Sequence, residues 1–244
     1  VTAGELILDY SYNGIPANPA VSTTTGIYRL ENADITLKGK STGITTATLN
    51  ILRFGSNLGL SNRFTLNANN GDGIQLTINS LSGNSTGSNT QNSNLIDISS
   101  SSGNTITASA LSGGFNTASL TGTGLKNVIM SNTSANAGRA NVIVHDSTGY
   151  GFATLSGTTS GTLGRTSLAD LTPLTAANGA VNGMFKLTYA ETVDGTLTRI
   201  ATELPYGSLT IDSTDGDIVL NMAAQSLGSS AGNNGRGMLI TGDK

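Results

Sequence analysis

Apolar and polar residues alternate in short runs along most of this chain. In residues 4–12, GELILDYSY, every second position is apolar or aromatic: Leu6, Leu8, Tyr10 and Tyr12. Side chains of a β-strand point alternately to its two faces, so this pattern predicts a strand with one buried face. Similar runs predict strands at 26–39, 47–53, 63–68, 74–79, 95–99, 105–111, 117–121, 127–131, 141–146 and 151–155. No stretch keeps a helical period over more than about two turns, so we expect an all-β protein.

Segments rich in Gly, Ser and Asn separate these runs and predict turns and loops. The longest, 82–94, is a low-complexity surface loop by composition. Several runs end in Leu-Ser-Gly or Leu-Thr-Gly, at 81–83, 111–113, 120–122 and 155–157. These positions share no fixed period, so we expect similar units joined by loops of variable length rather than a strict repeat.

The pattern divides the chain into four parts. Residues 1–25 form an N-terminal strand arm with a Pro-containing linker, and 26–157 form the main β-rich body. Residues 158–182 are an irregular connection with a short helical turn near Ser167–Leu171. Residues 183–244 are a C-terminal β-rich segment continuous with the body, and Asp194-Gly195 within it predicts a hairpin turn. The predicted fold is a β-helix or solenoid-like body, or a β-sandwich, with an extended strand arm.

The N-terminal strand has two interpretations. Pro16 and Pro19 in the linker cannot donate backbone hydrogen bonds and favour extended chain. The segment is therefore either an ordinary first strand followed by a long loop, or an arm that completes the sheet of a neighbouring subunit. An assembly arm of this kind would use Leu6, Ile7, Leu8, Tyr10 and Tyr12.

Composition narrows the class of protein. The chain has 32 Gly, no Cys, 11% charged residues, 36% hydrophobic residues and a net charge of −3. This excludes a disulfide scaffold and a Cys-based zinc site, and gives no electrostatic reason for binding nucleic acid. No apolar run approaches the ~18 residues of a membrane helix. A surface solvated by Ser, Thr and Asn, and a start at Val1 without Met or an apolar leader, are expected of a mature extracellular or cell-surface chain.

The runs FTLNANNGDGIQLTINSLSG and TITASALSGGFNTASLTGTGLKNVIMSNTSA mix Leu, Ile and Val with Thr, Asn and Gly. In this composition the chain resembles the β-strand-repeat regions of large secreted surface proteins: autotransporter-like passengers, two-partner-secreted adhesins and S-layer proteins. The resemblance covers about residues 35–157 and extends to 183–241, and it rests on no motif. It implies a β-helical scaffold and assigns no functional residue.

Candidate chemistry is sparse. The single histidine, His145, precedes Asp146, but adjacent strand residues face opposite ways, so the two are not expected to pair. We expect His145 to be a surface residue at a strand end. Gly-x-Ser-x-Gly occurs at 83–87 and 228–232, without the strand-to-helix context of a nucleophile elbow. No catalytic residue is predicted.

Acidic residues give two further hypotheses. Asp212, Asp215 and Asp217 surround one predicted turn, where their oxygens suit calcium, although a solvated hairpin turn is the simpler explanation. A polysaccharide-degrading groove needs two facing acids, and Asp97 with Asp72, or Glu191 with Glu203, are the candidates.

Two sequons, at Asn84 and Asn132, are possible glycosylation sites. The functional hypothesis from all of these features is an extracellular, non-enzymatic structural protein: a self-assembling subunit of a surface layer or filament, or an adhesin, with a strand-exchange arm. Its partners would be copies of itself and cell-surface glycan. The alternative is a polysaccharide-binding or polysaccharide-degrading β-helix protein.

Overall fold

The computed structural model describes residues 2–11, 26–55, 61–83, 93–120, 127–133, 136–173, 184–186, 189–193, 197–201, 209–212 and 238–241. This part of the chain is all-β, with one 3-10 turn at Leu168–Asp170. The first ten strands are β1 (Thr2–Asp9), β2 (Ile27–Lys38), β3 (Ile44–Phe54), β4 (Ser61–Asn67), β5 (Gly73–Gly83), β6 (Ser93–Asp97), β7 (Thr105–Ala108), β8 (Leu111–Gly113), β9 (Phe115–Ser119) and β10 (Asn127–Thr133). The others are β11 (Asn136–Arg139), β12 (Val142–Asp146), β13 (Gly149–Leu155), β14 (Gly161–Arg165), β15 (Thr172–Pro173), β16 (Met184–Lys186), β17 (Tyr189–Val193), β18 (Leu197–Ala201), β19 (Leu209–Asp212) and β20 (Met238–Thr241).

Nine of these strands form a closed hydrogen-bonded path. The order is β13-β12-β6-β4-β2-β3-β5-β7-β14, and β14 pairs back onto β13. Strands β1, β8, β9, β10 and β11 attach to this path, which makes a sheet of 14 strands. In its hydrogen bonding the sheet is therefore a closed barrel with extra strands.

Two parallel ladders make up most of the closed path. The first ladder is β1, β2, β4, β6 and β12, and the second is β3, β5, β7 and β8. In the first, Lys38 pairs with Asp9, 29 positions earlier, and with Asn67, the same number of positions later. In the second, Asn79 lies opposite Asn50, 29 positions earlier, and the step from Ile74 to Asn104 on the next strand is 30 positions. Both ladders thus advance by nearly the same length of chain at each step between β1 and β7, whereas the last step of the first ladder is longer: Val142 on β12 pairs with Asn94, 48 positions earlier.

Strand β2 belongs to both ladders. Its first residues, Ile27–Leu30, pair with the end of β3, and its later residues pair with β1 and β4. Asn32, at the change of partner, has a positive φ of 54°. Its N–H donates to Asn62 Oδ1 at 3.0 Å, and Asn62 Nδ2 donates to Asn94 Oδ1 at 2.9 Å. The bend is therefore held by a row of asparagine amides, which satisfies the backbone where the ladder hydrogen bonds change direction.

The inward side chains of both ladders form a single core. The first ladder supplies the row Leu6, Ile35, Phe64, Ile96 and Val144 and the row Leu8, Leu37, Leu66 and Ile98. The second ladder faces them with the rows Ala47, Leu76 and Ile106, and Leu49, Ile78 and Ala108. A smaller core, including Val128, Met130 and Phe152, packs with Ile143 on the opposite side of β12 and β13. Burial of these alternating apolar positions is the main stabilising contribution.

Buried Asn104 connects the two ladders across the turn between β6 and β7. Its Oδ1 accepts a hydrogen bond from the N–H of Ile74 at 2.9 Å. Its Nδ2 donates to the carbonyl of Ile98 at 3.0 Å and to Ser100 Oγ at 2.9 Å. Successive turns at this corner are so close that a Cβ on Gly103 would lie 2.0 Å from the carbonyl oxygen of Asp72. Glycine is therefore required there for the backbones to approach each other.

The later strands form two smaller sheets. Strands β15, β16, β19 and β20 make one sheet of four, and β17 and β18 make an antiparallel pair across the predicted Asp194-Gly195 turn. Within 158–182, the helical turn lies where the sequence predicts it, with Ser167 Oγ donating to the Asp170 carboxylate at 2.8 Å. The same interval also contains β14, which the sequence analysis did not predict.

The all-β prediction is confirmed at the level of fold class. The closed path of nine hydrogen-bonded strands is a feature that neither the solenoid prediction nor the β-sandwich prediction included. The path closes since β2 joins the two ladders at one end and the antiparallel strands β13 and β14 join them at the other.

Candidate functional site

The outward face of the first ladder carries a cluster of ionisable and aromatic side chains. Thr65, Asp97, His145 and Tyr150 lie directly opposite one another on β4, β6, β12 and β13. Arg63 is two positions before Thr65, so it points from the same face of β4. Alternation along each strand places all five side chains away from the core, on neighbouring strands about 4.8 Å apart.

Asp97 is the centre of this cluster and is only 8% exposed. Its Oδ2 accepts a hydrogen bond from Arg63 Nη2 at 2.6 Å, and its Oδ1 accepts bonds from the Ser99 N–H at 3.1 Å and hydroxyl at 2.7 Å. Burial alone would raise the pKa of Asp97, but the hydrogen bonds from Ser99 and Arg63 outweigh it and hold this pKa below its usual value. The carboxylate is therefore charged at neutral pH.

His145 is held between Asp97 and Tyr150. Its Nδ1 lies 3.3 Å from Asp97 Oδ1, although the pair lacks the alignment of a hydrogen bond and Nδ1 is buried without a partner. The imidazole ring stacks on the Tyr150 ring, with centroids 3.8 Å apart and planes 1° from parallel. A proton on Nδ1 would face the carboxylate and would leave the other ring nitrogen, Nε2, as an acceptor.

The adjacent β12–β13 turn is fixed by a separate ion pair. Arg165 Nε donates to Asp146 Oδ1 at 2.8 Å, and the same oxygen accepts the Thr148 hydroxyl at 2.7 Å. Burial would raise the pKa of Asp146, but the bonds from Arg165 and Thr148 lower it overall. His145 and Asp146 do not contact each other, which confirms the prediction that neighbouring strand residues face opposite ways.

This geometry presents groups that can bind a polar ligand. Tyr150 is 45% exposed and the Arg63 side chain is 48% exposed, so an aromatic ring and a guanidinium both reach solvent beside a fixed carboxylate. The His145 ring lies between the Asp97 carboxylate and the Tyr150 ring. The set can hold a polar ligand against the Tyr150 ring.

The proposed arm residues have contrasting environments. Strand β1 pairs in parallel with β2 of the same chain, as expected for an ordinary first strand. Leu8 and Tyr10 are 7% and 4% exposed, Leu6 packs partly against the core, and Ile7 is 52% exposed on the outward face. Tyr12 lies outside the described residues. Exchange of this strand between subunits remains a prediction.

The predicted carboxylate sites do not assemble in the described part of the chain. Asp97 pairs with Arg63 rather than with Asp72, which is exposed in the turn before β5. Asp212 ends β19, whereas Asp215, Asp217 and Glu203 lie outside the described residues. Among the residues that are described, no group of three His, Cys, Asp or Glu is placed to hold a metal ion. Calcium binding stays a prediction.

The two sequons also remain predictions. Asn132 is in β10 and its side chain is not described, and Asn84 lies outside the described residues. None of the helical structure in the described part of the chain has the length and apolar character to cross a bilayer.

Sequence reasoning missed Arg63 and Tyr150. The available signal was the place of Arg63 on the outward side of the predicted strand 63–68; Tyr150 lies one position before the predicted strand 151–155. The signal was weak because many outward positions are polar. Comparison with family models, with curated proteins and with solved structures found no match to this chain.

Proposed function

We propose that this protein is an extracellular structural subunit that assembles with copies of itself through the outer edge of β1, in a surface layer, a filament or an adhesin. The observation that supports the proposal most directly is the placement of β1. Among the described strands it pairs on one side with β2, and no described strand pairs with its other side. A strand in that position presents a row of backbone donors and acceptors to a partner.

The direction of the backbone groups can be assigned. The N–H of Tyr10 donates to the carbonyl of Lys38 on β2 at 2.8 Å. Because N–H groups alternate in direction along a strand, those of Leu6 and Leu8 also face β2. The N–H groups of Glu5, Ile7 and Asp9 then face the outer edge, where a strand from a second subunit would bind.

The finer architecture that we propose is a solenoid. The first ladder takes the step of 29 positions twice and then a step of 32, where Asn62 pairs with Asn94, before a longer step of 48 positions to Val142 on β12. The second ladder takes steps of 29 and 30 positions. A nearly constant step in two parallel ladders that share one core is the arrangement of stacked solenoid coils. Addition of a strand from another subunit would continue the first ladder.

A proline substitution tests the edge without removing β1 from the core. Ile7→Pro deletes one outward N–H and leaves the N–H groups that bond β2 in place, so it should block strand addition while the chain still folds. Wild-type protein should form fibres or sheets in negative-stain images, and Ile7→Pro should stay monomeric. Removal of residues 1–12 is a less specific test, because Leu8 and Tyr10 are part of the core.

Ile7→Thr is the matched control, since it keeps the N–H and β-branching and removes the apolar side chain. It should assemble like the wild type. A monomeric wild-type protein at every concentration tested would overturn the proposal, and so would normal assembly of a folded Ile7→Pro variant. Circular dichroism and the melting temperature show whether each variant is folded.

A second candidate function, glycan binding, is favoured by the cluster around His145. The exposed ring of Tyr150 offers a stacking surface, and Arg63 with Asp97 offers charged hydrogen-bonding groups on the same face. Sugars are bound through this combination of an aromatic surface with a few fixed polar groups. In an adhesin, such a site would supply contact with the cell surface.

The glycan candidate is tested by thermal shift against a panel of soluble polysaccharides. A ligand should raise the melting temperature of the wild type and of Tyr150→Phe, which keeps the ring, and should have no effect on Tyr150→Ala. If no glycan raises the melting temperature of the wild type, or if Tyr150→Ala responds as the wild type does, this candidate is wrong.

A further inference from the structure

Most of the outward face of the second ladder is an uncharged threonine array, which Ile44 and Arg53 border at the two ends of β3. The array consists of Thr46, Thr48, Asn50, Gln75, Thr77, Asn79, Thr105, Thr107 and Thr162 on β3, β5, β7 and β14, with Ser109 directly after β7. The segments 44–50, 73–80, 105–109 and 161–164, which form this face, contain no Asp, Glu, Lys or Arg. We call these ten positions the threonine face.

The positions of the threonine face lie in register across the strands. Thr48 pairs with Thr77, Thr77 with Thr107, and Thr107 with Thr162, so one row has threonine on four adjacent strands. A second row, two residues earlier, has Thr46, Gln75 and Thr105. In a third row, two residues after the first, Asn79 Nδ2 donates to Asn50 Oδ1 at 3.5 Å. The rows repeat about 4.8 Å across the strands and about 6.7 Å along them.

The rows are fixed by the core beneath them. Each outward threonine alternates with a buried residue, for example Thr77 between Leu76 and Ile78, which are 2% and 0% exposed. Threonine is β-branched, so its χ1 angle is restricted and its hydroxyl and methyl group keep constant directions. The second ladder therefore presents rows of hydroxyl, amide and methyl groups at the regular spacing of the sheet.

The other outward face of the same molecule is different. At its outward positions the first ladder carries Glu5, Asp34, Arg63, Asp97 and His145. Charged side chains are thus spread over one outward face of the fold, whereas the threonine rows of the other face contain none. Solubility alone favours charges of both signs on all surfaces, so the uncharged face indicates a surface that binds a partner without charge.

We propose that the threonine face binds ice. Water oxygens on an ice crystal also repeat in two dimensions, at lengths close to the two repeats of the threonine rows. Each hydroxyl can take the place of one lattice water, and each methyl group orders the water beside it. An ionic side chain would organise water around itself and break this match, which explains the absence of charge.

The test measures how much protein enters a slowly growing ice front. Wild-type protein should be enriched in the ice, whereas a protein without ice affinity stays in the liquid. Thr77→Lys, at the centre of the longest row, should fall to that background level. Thr65→Lys is the matched control, because Thr65 is also an outward threonine on a central parallel strand, but on the charged face.

Two further variants make the result specific. Thr77→Ser keeps the hydroxyl and loses the methyl group, and should give intermediate uptake. Thr107→Lys changes an exposed position of the same row, and carries the test if Thr77→Lys does not fold. Ile7→Pro should retain uptake, which separates this proposal from assembly through β1.

Exclusion of the wild type from ice would overturn the proposal. An equal loss of uptake in Thr65→Lys and Thr77→Lys would also overturn it, because binding would then not depend on the face. Retention of wild-type protein by powdered crystalline cellulose or chitin, with exclusion from ice, would show that the ordered partner is a polysaccharide and that the proposal is wrong.

Discussion

Asp97 and His145 lie opposite each other on neighbouring parallel strands, with Asp97 Oδ1 3.3 Å from His145 Nδ1, although they are distant in the chain. The relationship depends on the ladder, since β12 enters it next to β6 after the chain has formed β7 to β11. The carboxylate also bonds Arg63 and Ser99, so one buried charge connects side chains of three strands with the turn that follows β6.

Replacement of Asp97 should destabilise the protein. Asp97→Asn keeps the shape but removes the charge that faces Arg63 and His145. We expect the free energy of unfolding to fall by about 1–2 kcal/mol, because the pair is partly buried and Arg63 is half exposed. Urea unfolding at pH 7 measures the loss. Asp34→Asn, at an exposed position on the same face, is the control and should change stability by about 0.5 kcal/mol or less.

Stability should decrease in acid. The pKa values of Asp97 and Asp146 are lowered from the ordinary value of 3.8 in the folded protein. A carboxyl group whose pKa is lower in the folded protein than in the unfolded chain stabilises the fold at pH values above the unfolded pKa. This stabilisation is lost as the pH falls through the pKa of the folded protein. The urea midpoint should therefore drop below pH 4. The double variant Asp97→Asn, Asp146→Asn should show a shallower drop, and an unchanged slope would contradict the assignment.

Alkaline pH should act through Tyr10. Its hydroxyl is buried without a hydrogen-bond partner, and burial, with a smaller effect of Tyr28, raises its pKa from 10.0 to about 12. The folded protein favours the neutral form of the Tyr10 hydroxyl. The contribution of this group to stability is therefore complete below pH 10 and is lost as the pH rises towards 12. Tyr10→Phe should weaken this alkaline loss.

The same substitution should not reduce stability at pH 7. It removes an unpaired buried hydroxyl, so we expect a gain of about 0–1 kcal/mol in urea unfolding. Tyr28→Phe is the matched control: burial also raises the pKa of Tyr28, but its hydroxyl is not a buried unpaired group, and no gain is expected. A clear loss of stability in Tyr10→Phe at pH 7 would contradict this prediction.

Asn104 should be the most sensitive polar residue of the corner. Asn104→Ala leaves the Ile74 N–H and the Ile98 carbonyl buried without their partner. We expect a loss of about 2–4 kcal/mol in unfolding free energy. Asn104→Asp keeps an oxygen acceptor for the Ile74 N–H but has no amide donor for the Ile98 carbonyl, so it should recover only part of the lost stability. Asn79→Ala, an exposed asparagine of the threonine face, should cost about 0.5 kcal/mol or less.

The strands were predictable because alternation is local. The runs around Leu6, Ile35, Phe64 and Ile106 all became strands with their apolar positions inside. The register was only partly readable. The Leu-Ser-Gly motifs at Leu81 and Leu111 do pair in register, but copies elsewhere in the chain obscured that step. Short motifs of common residues recur by chance along the chain. The number of residues between paired positions on adjacent strands, in contrast, depends on which strands hydrogen-bond to each other.

The candidate site was less predictable than the fold. Asp97 appeared as one of several acids, and His145 as a residue at a strand end. Their meeting depends on the length of everything between β6 and β12, which no local pattern encodes. The threonine face was equally hidden, because Thr-x-Thr at 46–48 and 105–107 becomes a lattice only when the strands align.

The nearly constant step of the two ladders between β1 and β7 makes this part of the molecule extendable by copying. A segment one step long, such as residues 35–63, runs from the first ladder through β3 in the second and back to β4. Its duplication adds one rung to each ladder, lengthens the core by about 4.8 Å and repeats Thr46 and Thr48 on the threonine face. Insertion of one residue within a strand instead turns its apolar side chains outward. Growth and variation of such a chain are therefore confined to whole steps and to the loops between them.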